Sequence, residues 1–166
     1  MTQFGELLRV LGAGGVRFVM VGGVAAAAHG SPRSTQDLDV VYGWDDENLR
    51  RIAATLGPHR PYLRGAPPGL PFCLDFETLR SGLNFTLSTD LGWIDLLGEI
   101  AGAGGYENLA TQSITVDIFG IQCKLIGLDA LILAKRALAV PRTSKMWPNS
   151  KCSVSGGGAT LPERVG

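Results

Sequence analysis

The sequence predicts one small mixed α/β (α+β) domain. Two observations carry that expectation. Helical and strand-like segments alternate as far as Leu56, and two strand pairs of antiparallel type then lead into the apolar-periodic helix "LDALILAKRAL". A chain of 166 residues is long enough to bury one core.

The elements follow in order. Phe4, Leu7, Leu8 and Leu11 recur at helical spacing, predicting a helix from Thr2 to about Leu11 that Gly12, Gly14 and Gly15 close. "VRFVMV" is strand-like, and "GGVAAAAHG" suits a short helix of small residues lying close on a sheet. Gly30, Ser31 and Pro32 break the chain before a second strand, "DLDVVYG". Asp45 and Asp46 cap a helix from about Glu47 to Leu56, with Leu49, Ile52, Ala53 and Leu56 inward. "GPHRPYLRGAPPGLPF" carries five prolines and reads as a long loop. Asp75 and Glu77 mark a helix start in "DFETLRSG". "LNFTLST" and "GWIDLLGEI" form a hairpin around Thr89, Asp90 and Leu91; "YENLATQ" is a short helix; "SITVDIFG" and "IQCKLIG" pair as strands.

Composition excludes some functions. The formal net charge is zero, which argues against a broad basic surface for nucleic acid and leaves only a local patch open. No apolar run reaches the ~18 residues of a membrane span, and "MTQFGELLRVLG" has no signal-peptide pattern. Cys73, Cys123 and Cys152 show no zinc or redox spacing, so reduced thiols and a cytoplasmic location are expected.

The chemistry concentrates in acids set among apolar residues. Asp37 and Asp39 flank Leu38 and project to one face of their strand. Seen alone, such a pair reads equally as a solvent-facing strand end. Asp95, between Ile94 and Leu96, adds a third acid in an apolar strand. Carboxylates held together repel, and a divalent cation removes the repulsion. Three such acids suit two Mg²⁺ ions that clamp a hydroxyl and a triphosphate. Gly22 and Gly23, after a strand and before a helix, leave bare backbone for phosphate oxygens, although a glycine pair is also ordinary turn chemistry.

These residues carry a resemblance. Val21-Gly22-Gly23, thirteen residues, Asp37-Leu38-Asp39-Val40, and the later Ile94-Asp95-Leu96 resemble the DNA polymerase β-type nucleotidyltransferase superfamily. "GGVAAAAHGSPRSTQDLDV" and the lysine helix "LDALILAKRAL" are similar to the AbiEii-like abortive-infection toxin group and its minimal relatives. The resemblance implies a twisted mixed sheet flanked by helices, Mg²⁺ on Asp37, Asp39 and Asp95, and a triphosphate cradled by Gly22 and Gly23. It implies NMP transfer from an NTP to an acceptor hydroxyl, with pyrophosphate released. Asp95 would help to deprotonate that hydroxyl. The acceptor is left open among tRNA, another RNA, a protein and a small molecule, and a cognate toxin or antitoxin partner is a further expectation. Arg33 and Thr35 match the group's Arg-x-Thr-x-Asp pattern; Arg33 reads either as a phosphate or acid contact or as a plain loop arginine. Lys135 reads either as a phosphate ligand or as a lysine snorkelling from an apolar helix. His29 reads as structural, His59 as solvent-exposed, and Asp117 as the outward face of a hairpin.

The expected domain spans residues 1–141, and residues 142–166 form an irregular tail without apolar period. The group's Lys and Asp segment is missing there. One G inserted after the Arg142 codon turns a back-translation of Thr143–Ser155 into "DKQDVAEFEVLSE", an acidic amphipathic helix start that restores it. A single-base deletion is the expected origin of the tail, and the lost helix would expose apolar surface that favours a homodimer or lowers stability.

Overall fold

A computed structural model describes residues 1–138. In chain order its elements are α1 (Phe4–Ala13), β1 (Phe18–Met20), α2 (Gly22–Ala28), β2 (Asp37–Tyr42) and α3 (Asp46–Leu56), then a 3-10 turn (Gly57–His59). Next come β3 (Tyr62–Leu63), α4 (Phe76–Ser81), β4 (Asn84–Thr89), β5 (Gly92–Leu97), β6 (Glu99–Ile100) and β7 (Gly104–Gly105). α5 (Tyr106–Thr111), β8 (Ile114–Ile118), β9 (Ile121–Leu125) and α6 (Leu128–Leu138) complete it. The expected tail, its frameshift origin and the boundary at residue 141 lie outside the described residues.

Seven strands form one mixed sheet in the order β3-β4-β5-β2-β1-β9-β8, and β6 pairs with β7 in a separate small ribbon. β1 runs antiparallel to β2 and parallel to β9. β2 runs parallel to β5, which forms the expected hairpin with β4. The β8–β9 pair is antiparallel, as its sequence indicates.

Period-2 alternation gives the sheet two characters. Leu38, Val40, Ile94, Leu96, Phe85 and Leu87 are buried in one core with Leu7, Leu8 and Leu11 of α1, Leu49, Ile52 and Leu56 of α3, and Leu79 of α4. Asp37, Asp39, Trp93 and Asp95 alternate with those positions and are only partly covered or exposed. Asp45 caps α3 by accepting from the Asn48 N–H at 3.1 Å, and Asp75 caps α4 by accepting from the Thr78 N–H at 2.8 Å.

Three departures from the sequence expectation have physical reasons. α1 starts at Phe4, because Thr2 is used elsewhere: its hydroxyl bonds the Gln36 carbonyl and accepts from the Trp93 N–H at 3.1 Å. "GWIDLLGEI" is two strands, broken at Gly98, whose N–H donates to the Leu83 carbonyl at 2.9 Å and to Asn84 Oδ1 at 3.0 Å. The proline-rich loop contains the edge strand β3, with Tyr62 opposite Ser88 and Leu63 opposite Leu87. The open edge of β4 recruits it, and a two-residue edge strand tolerates neighbouring prolines.

Candidate functional site

The acids are brought together by strand register. Across the parallel β2–β5 pair, Asp37 lies opposite Trp93 and Asp39 opposite Asp95. One carboxylate oxygen from each of Asp37, Asp39 and Asp95 lies within 4.8 Å of the others. Side chains on one sheet face at adjacent positions have no other choice.

Neighbouring backbone and side chains hold the trio. The Thr35 hydroxyl donates to Asp37 Oδ1 at 3.0 Å and to the Asp37 carbonyl at 3.1 Å. The Gly23 N–H donates to Asp39 Oδ2 at 3.4 Å. Gly22 has φ +62, and a Cβ there would collide with the Asp39 carboxylate. A Cβ on Gly23 would come within 2.5 Å of the Thr35 Cβ. Close approach thus requires both glycines, and backbone conformation also requires Gly22.

Burial sets the electrostatics. It is the main cause that pushes the Asp39 carboxyl up to about 7, reinforced by repulsion from Asp37 and Asp95 and opposed by the Gly23 N–H and Arg64. Burial also raises Asp95, with the Arg64 guanidinium pulling the other way and Asp37 adding to the rise. Three mutually repelling carboxylates offer an all-oxygen donor set, the type that suits a hard cation such as Mg²⁺.

Arg64 is the residue that sequence reasoning missed. Its Nη2 lies 2.8 Å from Asp95 Oδ1 and 3.3 Å from Asp37 Oδ2. Its guanidinium carbon sits 5.0 Å from the centre of the Trp93 ring. Its Nη1 is buried and has no hydrogen-bond partner among the described residues. The only sequence signal was an arginine two residues after Tyr62 in the one β-like dipeptide of a proline-rich loop. β3 turns that spacing into proximity, since the Arg64 N–H donates to the Thr86 carbonyl and Thr86 lies opposite Asp95.

A cavity of about 430 Å³ opens beside the trio. Asp39, Gly22, Gly23, Arg33, Thr35 and Lys135 line it together. Its apolar wall is Val21, Ala26, Leu97, Ile100, Ile126 and Leu131. Arg33 and Lys135 are exposed, and neither forms an ion pair with a described residue. The cavity therefore has an acid corner, bare backbone, two exposed cations without an ion pair among the described residues, and an apolar side.

Residues set aside on sequence grounds have structural places. A His29 ring nitrogen lies 2.9 Å from the Ile126 carbonyl, tying α2 to the end of β9. Asp117 is exposed and accepts from the Gly120 N–H at 3.0 Å in the β8–β9 turn. His59, expected to be exposed, is half-buried.

No protein-family model matches the chain, and no curated protein sequence matches it. Among solved structures, it is similar to a Thermotoga maritima protein, TM1012, described as a "putative nucleotidyltransferase". The likeness covers 84% of this chain and 88% of that one, at 19% identity and a TM-score of 0.52. The chain has a nucleotidyltransferase fold. The expected mixed sheet flanked by helices is what it forms. Among the described residues, no helix of this fold is long and apolar enough to cross a membrane.

Proposed function

We propose that the protein is a Mg²⁺-dependent nucleotidyltransferase that moves NMP from an NTP to an acceptor hydroxyl. One observation carries this reading: three carboxylates from two register-paired strands converge beside a cavity lined by two exposed cations, Arg33 and Lys135. Asp37, Asp39 and Asp95 are the metal-holding residues. Bound Mg²⁺ would neutralise the phosphates and align the acceptor oxygen with the α-phosphorus.

The chain's own residues do the rest. Gly22 and Gly23 let phosphate oxygens approach the start of α2, and Arg33 and Lys135 balance their charge. Thr35 keeps the Asp37 carboxylate oriented. The acceptor oxygen attacks the α-phosphorus, the bond to the bridging β-phosphate oxygen breaks, and pyrophosphate leaves with the electron pair. Asp95 is placed to take up the hydroxyl proton. Positioning and charge neutralisation supply most of the acceleration.

The sequence motifs favour an AbiEii-like enzyme acting in the cytoplasm, with a tRNA, another RNA, a protein or a small molecule as acceptor. The test is transfer from α-phosphate-labelled NTPs with Mg²⁺ and each acceptor class. Transfer that falls by about 10³-fold in Asp37→Asn and Asp39→Asn supports the reading. No transfer, or transfer equal in wild type and both variants, sinks it.

A second reading is a nucleotidyltransferase-fold binding module, such as a toxin–antitoxin component, without turnover. Its supporting observation is that Arg64 already engages two of the three acids. NTP binding without product in the same assay would favour it.

A further inference from the structure

Two cationic solutions compete for one cluster of acids. Arg64 reaches Asp95 and Asp37 from the edge strand, and its pairing relieves part of the repulsion that the trio suffers. The guanidinium is nonetheless poorly satisfied. Among the described residues Nη1 is buried without a hydrogen-bond partner, a state that costs stability and is rare in settled cores. A structural ion pair would use its whole donor fork. Arg64 uses one nitrogen, Nη2, for both carboxylates.

We propose that Arg64 is a displaceable internal counter-ion: it holds Asp95 and Asp37 in the metal-free protein, and a divalent cation must drive it off them to load the site. The inference rests on the preceding reading that the trio holds metal, and it adds how loading is controlled. A divalent ion on Asp95 and Asp37 takes the same carboxylates and repels the neighbouring guanidinium. Trp93 provides the resting place. Its ring lies under Arg64 at 5.0 Å and the residue is 42% exposed, so the cation keeps a favourable aromatic face while it turns toward solvent. The chain beyond Arg64 continues into Gly65 at φ +78, without a strand partner on the outer edge of β3 among the described residues.

Arg64 is thereby a positioning residue that sets metal affinity. Mn²⁺ titration of the full chain, followed by the electron paramagnetic resonance signal of free Mn²⁺, reads this directly. Arg64→Gln removes the competitor, and its Mn²⁺ Kd should be about tenfold lower than that of wild type. Arg64→Lys keeps the charge and should stay nearer wild type, which also guards against misfolding of the first variant. In a Trp44→Phe/Trp147→Phe background, Mg²⁺ should change Trp93 emission saturably, and adding Arg64→Gln should abolish the change.

Equal or weaker Mn²⁺ binding by Arg64→Gln overturns the inference alone, as does Trp93 emission that ignores Mg²⁺ while Mn²⁺ binds. Absence of saturable Mn²⁺ binding in wild type and variants alike overturns the metal-site reading beneath it.

Discussion

Asp39 and Asp95 lie directly opposite each other across the parallel β2–β5 pair. Like charges at facing strand positions destabilise a sheet, and partial burial sharpens the effect. The surrounding strands are apolar, so nothing in packing asks for these acids. Their arrangement costs the metal-free fold stability, a cost that Arg64 offsets in part and that a bound cation would remove.

The cost has a pH signature. The Asp39 carboxyl stands near 3.8 in the unfolded chain and about 7 in the folded one, so the folded chain binds more protons across that window. Stability of the metal-free protein therefore falls as pH rises from about 4 to about 7, then levels. Asp95 is shifted the same way and adds to the slope. Melting curves in EDTA should show this decline. Asp39→Asn should flatten it and raise Tm at pH 8 by roughly 2–6 °C. A wild-type Tm that climbs steadily toward pH 8 in EDTA would contradict the assigned burial.

Metal should reverse the penalty. Mg²⁺ or Mn²⁺ at about 100 times its Kd should stabilise the folded chain by about 2.7 kcal/mol. Asp37→Asn and Asp39→Asn should lose most of that gain. Scanning calorimetry with and without EDTA checks it, and equal gains in all three proteins would refute the site.

Gly22 is the most constrained glycine beside the trio. Gly22→Ala meets both the φ of +62 and the Asp39 carboxylate, and should cost about 1–3 kcal/mol while removing metal binding. Gly30→Ala makes the comparison clean: φ is +91 there, with open space around a Cβ. It should cost stability but leave metal binding intact. Urea melts paired with Mn²⁺ titration separate the two effects.

Lys135 and Arg33 share the cavity wall, away from the chemistry of the acids. Lys135→Ala and Arg33→Ala should each raise the KM for NTP by about 10-fold or more, with unchanged Tm. Steady-state kinetics at saturating acceptor decides this. A fall in Tm without a KM effect would make Lys135 a packing residue.

Asn48 offers a stability test remote from the site. It is fully buried in α3, accepts from the Arg17 N–H at 2.7 Å, and donates to the Gly43 and Arg17 carbonyls at 2.7 and 3.0 Å. Asn48→Leu strands the Arg17 N–H and the Gly43 carbonyl, while the Arg17 carbonyl keeps the Gly43 N–H at 3.0 Å, and should cost about 2–4 kcal/mol in a urea melt. Mn²⁺ affinity of the folded fraction should not change.

Local periodicity made most elements legible. The helix of Leu128–Leu138, the β4–β5 and β8–β9 hairpins and the capped α3 all follow from residues close in the chain. Asn48 shows the limit within one helix: it lies beside Leu49 on the buried side, and only the approach of the Gly43 turn and Arg17 explains a polar residue there.

The candidate site divides along the same line. Sequence alone determined that Asp37 and Asp39 share a face, because a strand alternates every residue, and that Asp95 is an odd acid among apolar neighbours. Tertiary structure alone decided that Asp95 faces Asp39, since parallel register between distant strands has no local signal. It also decided Arg64. A proline-rich loop advertises no strand, and only the unfilled edge of β4 pulls Tyr62 and Leu63 into the sheet and swings the next side chain over the acids.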